Sequence, residues 1–261
     1  MNELVVSEQA LMQFIGQYIW PLMRIGGLFL AMPVIGAQTI TPRIRVLLAL
    51  FVTALVVPML PAPPQVELFS MAAMVMVTQE LLIGIALGFS LQVVLHVFVL
   101  AGQYIAMKMG LGFASMNDPS SGVITTVVSQ FYLLMSTLLF LSFNGHLIAI
   151  DILVQSFVSL PIGSGGINLQ SVWMLASMGS WMFGAALVIA LPIFTALMVV
   201  NMAFGAMNRS APQMNVFTVG FPMALIFGLF VTWVSLSAFL PVFELIMQEG
   251  FAFVRATVGV D

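Results

Sequence analysis

Residues Lys108 to Val123 read KMGLGFASMNDPSSGV, and the reading of that stretch decides how the remaining sequence is divided. It holds three glycines, one proline, three serines and the charge pair Lys108 and Asp118. Apolar sequence lies on both sides, 68–107 before it and 123–157 after it. Gly110, Gly112 and Gly122 permit backbone angles that other residues avoid, and Asn117-Asp118-Pro119 is a strong turn signal. A polar, non-helical segment between helices of membrane-grade apolarity survives only in water, inside protein or lining a pore. Two readings follow from these residues alone. One is a solvent-facing loop; the other is a gate segment that seals a conduit.

Outward from that break the composition sets the class. The 261-residue chain is 62% hydrophobic and 6% charged, with a mean hydropathy of +1.17. A soluble domain carries roughly 25% charged residues, so an all-α, multi-helix membrane protein of about six kinked apolar segments is expected, in a single domain. A net charge of −3 with scattered basic residues offers no nucleic-acid surface. The absence of cysteine removes disulfides, thiolate catalysis and cysteine metal sites. Two histidines far apart make a metal site improbable, and no cofactor is expected. The start, MNELVVSEQA, lacks a basic n-region, so no cleavable signal is expected.

The first apolar run, about 10–35, opens after Ser7-Glu8, which reads as a helix cap with an acid in the first turn. Arg24 interrupts it three residues after Pro21 and needs a protein partner or a head group at that depth. A polar link, 38–45, carries Arg43 and Arg45. The second run, 46–60, is brief for a bilayer core of about 20 residues and stops at the prolines 58, 61, 63 and 64. The third run, 68–107, is long for one span and contains Glu80, Gly84, Gly88 and His96. Gly84 and Gly88 form a small-xxx-small pair that admits another helix backbone. Glu80 and His96 are separated by about 24 Å of continuous helix, too far to act as one acid–base pair.

The fourth run, 123–157, includes Phe143-Asn144-Gly145-His146 and Asp151, and the glycine-rich segment 160–168 follows as a turn. His146 and Asp151 differ by roughly 140° around a helix, poor geometry for one site. The fifth run, 171–207, carries Pro192, which predicts a kink or break. A polar turn with Arg209 and Pro212 leads to the sixth run, 216–247. Arg43 and Arg45, Lys108 and Arg209 fall in alternate loops, which the positive-inside rule makes cytoplasmic, with both termini outside.

Enzyme motifs are missing: there is no GxxxxGK[ST], no HExxH and no GxSxG, so the chain is not expected to be an enzyme. Methionine is abundant, at 21 residues, and Met107, Met109 and Met116 flank or enter the central stretch, where deformable side chains suit a compliant seal. Glycine and proline inside apolar runs suit a transporter or a subunit wound against partners. A proton-coupled secondary transporter using Glu80 and His96 is the alternative class.

Six stretches carry a family resemblance: WPLMRIGGLFLAMPV (20–34), QELLIGIALGF (79–89), KMGLGFASMNDPSSG, LLFLSFNGHL (138–147), LPIG (160–163) and NRSAPQMNVFTVGFP (208–222). Together they resemble the R components of the flagellar type III protein-export gate, the FliR-like family, over nearly the whole chain. The resemblance implies a subunit of the bacterial inner membrane and flagellar basal body, much of it raised toward the periplasm. Its implied partners are the P and Q components, the B and A components, translocating unfolded flagellar subunits and membrane lipid. It implies a P-like portion, 1–186, joined to a Q-like helical hairpin, 187–249. It further implies that the central loop is part of the channel plug, here Gly110, Leu111, Gly112, Phe113, Ala114, Ser115, Met116, Asn117, Asp118, Pro119, Ser120, Ser121 and Gly122. Arg24, Glu80, Lys108 and Arg209 are expected to make polar contacts between subunits.

Overall fold

The computed structural model describes residues 8–61, 64, 66–67, 70–111, 126–210 and 216–260, with the backbone alone at 8–13, 208–210 and 216–219. Among the described residues the regular elements are helices: α1 (Glu8–Ala31), α2 (Pro42–Val56), α3 (Met71–Lys108), α4 (Val127–Ser142), α5 (Gly145–Ser159), α6 (Leu169–Ser210), α7 (Val216–Ser235) and α8 (Phe239–Thr257). Short 3-10 turns, Val57–Met59 and Leu236–Ala238, follow α2 and α7. The all-α expectation holds. The proposed cap at Ser7 lies outside the described residues.

Several boundaries differ from the sequence expectation, each for a local reason. Pro42 stands at the start of α2 with Thr41 extended before it. Its fixed φ is pre-set for a first turn, so Arg43 and Arg45 lie on the helix and not in the link. With its 3-10 extension this stretch runs Pro42–Met59, 18 residues, long enough to cross a membrane. The fourth run is not one helix. It breaks between α4 and α5, where Asn144 takes a left-handed φ of 55°. Asn tolerates that conformation better than other side chains, and Asn-Gly is a turn signal.

Proline does not interrupt α6, which is continuous for 42 residues across Pro192. A proline removes one rung of the ladder, but a fully broken helix here would leave several backbone groups without partners in apolar surroundings. The Thr195 hydroxyl also donates to the Leu191 carbonyl at 2.7 Å. Pro241 falls in the first turn of α8, directly after the 3-10 turn Leu236–Ala238. Against six expected runs, four helical stretches among the described residues are long and apolar enough to cross a membrane, or five if α4 and α5 count as one.

The chain folds as two compact units. Unit 1 comprises residues 1–93, 144–178 and 250–261, and takes in α1, α2, the first part of α3, α5, the start of α6 and the end of α8. Its core is built from Trp20, Ile25, Leu28 and Phe29 of α1, Ile83 and Leu87 of α3, and Ile152 and Phe157 of α5, all essentially buried. Gly84 and Gly88 do what their spacing predicts. A Cβ on Gly84 would run into the Arg24 carbonyl, and one on Gly88 would sit 2.7 Å from the Leu28 carbonyl. Residue 24 therefore lies by 80–84 and residue 28 by 84–88, so α1 and this part of α3 run in the same direction.

Unit 2 comprises residues 94–143 and 179–249. Its core is an aromatic cluster: Phe98 of α3 lies 5.6 Å from Phe239 and 5.5 Å from Phe243 of α8, ring centre to ring centre, with Tyr132 of α4 at 5.6 Å from Phe239. Such tilted and edge-on contacts suit the ring quadrupoles. The outer faces differ sharply from this core. The most apolar 18 residues of α3 are 67% buried, against 22% for the most apolar 18 of α6 and 22% for those of the α7–α8 stretch. Val188, Val199 and Met202 of α6 and Ile226, Leu229 and Trp233 of α7 are all more than half exposed. Faces of this kind meet lipid or neighbouring protein.

Candidate functional site: a buried arginine hub and the stems of the central loop

Arg24 is completely buried and Glu80 is 1% exposed. The guanidinium uses its planar fork fully. Nε donates to Glu80 Oε2 at 2.7 Å, Nη1 to the Ser156 carbonyl at 2.8 Å and to Ser156 Oγ at 3.1 Å, and Nη2 to the Leu160 carbonyl at 2.8 Å. Its carbon lies 4.3 Å over the Phe157 ring. The two carbonyls belong to the C-terminal end of α5, where helical acceptors run out of partners and the helix dipole is negative. Arg24 thus caps α5 while Glu80 balances its charge, and one side chain pins α1, α3 and α5 together. The bonds expected between subunits at Arg24 and Glu80 are made within unit 1, because the glycine-lined approach of α1 to α3 brings the two residues face to face.

The stems of the central loop lie in unit 2. At the end of α3, Gly110 takes φ 83°, its N–H donates to the Met107 carbonyl at 3.1 Å, and the Leu111 N–H reaches back to the Ala106 carbonyl at 3.0 Å. This is a Schellman termination with glycine at the left-handed position. Lys108 Nζ lies 4.1 Å over the Phe194 ring of α6. Met109, fully buried, fills a notch at Gly228 of α7, where a Cβ would meet Met109 Cγ at 2.6 Å. On the far side, Thr126 caps α4: its hydroxyl accepts from the Ser129 N–H at 3.3 Å. Ser129 is itself pressed against Gly102 of α3, whose added Cβ would lie 2.6 Å from the Ser129 Cα. Both ends of the loop are therefore firmly terminated, and their helices are in close contact at the base.

Of the loop residues named from sequence, Gly110 and Leu111 are described and belong to the cap; 112–122 lie outside the described residues. Lys108 is engaged by Phe194 of its own chain. Arg209 falls in the last turn of α6, its side chain outside the described set. His96 lies sixteen residues beyond Glu80 on α3 and is not brought to it. Asp151 accepts from Gln155 Nε2 at 2.8 Å on an exposed face, and His146 Nδ1 is buried without a hydrogen-bond partner. Reading the sequence for charge also passed over Glu244, an exposed acid on α8 inside the sixth run. The partners of Arg24 on α5 carry no motif that could have named them.

Known proteins match the sequence over most of its length. The family described as bacterial export proteins, family 1, matches residues 15–250. The chain is 39% identical to flagellar biosynthetic protein FliR of Escherichia coli (strain K12) over 225 residues, which cover 86% of this chain and 85% of that one. It is 37% identical to FliR of Pectobacterium carotovorum over 92% of each chain, and 26% identical to FliR of Bacillus subtilis over 80% of this chain and 81% of that one. With a family match across nearly all of its helices and relatives of this identity at full length, the chain belongs to the bacterial export proteins, family 1.

Proposed function

We propose that the chain is a structural, non-enzymatic subunit of the flagellar type III export apparatus, held in the bacterial inner membrane at the basal body. It assembles with P and Q components, and with the A and B components of the same apparatus, into a channel for unfolded flagellar subunits. Residues 110–122 form part of the plug of that channel. The observation that carries this reading is the pair of terminated stems. A polar, glycine-rich segment held by a Schellman cap on one side and the Thr126 cap on the other can occupy a pore without loosening the helices that carry it.

Other features support the same reading. The mostly uncovered apolar faces of α6 and α7 need neighbours or lipid. The proposed Q-like hairpin, 187–249, falls inside unit 2, while the proposed P-like portion, 1–186, is divided between the two units. The helix ends bearing Arg43 and Arg45, Lys108 and Arg209 face the cytoplasm, with the termini outside and much of the assembly raised toward the periplasm. Lys108 and Arg209 make polar contacts between subunits once the gate assembles. The transporter alternative is disfavoured because Glu80 is held by Arg24.

Deletion of Gly110–Gly122 tests the plug. The expected result is an assembled complex that leaks ions or small molecules across the membrane. Leakage at background in a fully assembled complex refutes it.

A further inference from the structure

We infer that Lys108 and Met109 are positioning residues that latch the end of α3 to the α6–α7 hairpin, and that this latch opens during export. The inference rests on the proposed role of the central loop but concerns a contact among the four positions 108, 109, 194 and 228.

The latch has two parts on consecutive residues. Lys108 places its ammonium 4.1 Å over Phe194 of α6, and Met109 is buried in the notch that Gly228 leaves in α7. Together they fix the direction in which the chain leaves α3.

The contacts are also of a kind that can be undone. A cation–π contact is non-covalent and falls off with separation. Met is the most deformable of the apolar side chains, and a glycine notch offers no interlocking group to hold it. Gly110, immediately after the latch, takes a left-handed φ of 83° and can absorb a change in chain direction. Pro192, two residues before Phe194, removes a backbone rung of α6 beside the lysine's partner. A non-covalent contact made by one ammonium and one deformable side chain lies next to Gly110 on its own chain segment and near Pro192 on the partner helix, which is the construction of a releasable joint.

The test uses cysteines at both sides of the notch, Met109→Cys with Gly228→Cys, in the full chain within its native membrane. The chain has no cysteine of its own, so any disulfide within the chain reports this pair. A Cβ at 228 lies 2.6 Å from Met109 Cγ, so the two Cβ atoms are at most about 4.1 Å apart, inside disulfide reach. The inference expects ready cross-linking on oxidation, loss of flagellar subunit export, and its return on reduction, with the single-cysteine variants unaffected by oxidant. Cross-linking with undiminished export overturns release. Failure to cross-link overturns the latch itself. If the reduced double variant does not support export, the size swap decides: Gly228→Ala lowers thermal stability, and adding Met109→Ala restores part of it. No restoration overturns the contact. A silent leak assay on the 110–122 deletion, with the reversible block intact, would remove the plug reading and leave the latch standing.

Discussion

Replacing Arg24 with leucine leaves the Glu80 carboxylate buried without its partner and takes the donor from the Leu160 carbonyl. Breaking a buried pair on one side costs about 3–5 kcal/mol, and an orphaned carbonyl adds about 1–3 kcal/mol. Ser156 adds less, because its carbonyl also accepts the Leu160 N–H at 2.9 Å. Glu80→Leu is milder, since Arg24 keeps its carbonyl acceptors and the Phe157 ring. The double variant Arg24→Leu/Glu80→Leu removes both charges and retains mainly the Leu160 deficit, so it is more stable than Arg24→Leu alone by about 2 kcal/mol or more. The expected order of destabilisation is Arg24→Leu, then Glu80→Leu, then the double variant. The assay is thermal unfolding of the protein extracted in mild detergent with its co-purifying partners. An Arg24→Leu protein within about 0.5 kcal/mol of the parent, or a double variant as unstable as the two single effects added, refutes the hub.

Two further substitutions test the helix contacts. Gly84→Val puts a branched side chain into the Arg24 carbonyl, separates α1 from α3, and abolishes accumulation of the protein in membranes; normal levels on immunoblots would contradict that packing. Gly110→Ala forces a Cβ into the left-handed region, costing about 1–2 kcal/mol at the end of α3, read as a lower melting temperature; an unchanged one would show that the Schellman termination is not formed.

The sequence made legible what depends on local pattern. Apolar runs marked the helices, the pair Gly84 and Gly88 marked the close approach to α1, and the glycines at 163, 165 and 166 marked a turn in which all three have positive φ. It did not reveal tertiary partners. Arg24 showed that some partner was required, yet Ser156 lies 132 residues away and contributes mainly a backbone carbonyl, which no side-chain pattern encodes. Of the kink or break expected at Pro192 the break does not occur, because proline removes one hydrogen bond while the whole apolar run decides whether the helix continues. The break before Gly145 was readable in Asn144-Gly145 but was masked by the apolar sequence on either side. For the loop, its boundaries were visible in composition, but the two anchors on α6 and α7 were not, since Phe194 and Gly228 are unremarkable in their own helices.

The central claim is that this chain works as part of an export channel and not alone. The most direct measurement is extraction of the tagged protein from its native membrane in mild detergent, followed by mass spectrometry of what accompanies it. Recovery in one large complex with P-like and Q-like components is the predicted result. A monodisperse single chain that supports proton-coupled uptake when reconstituted would contradict it.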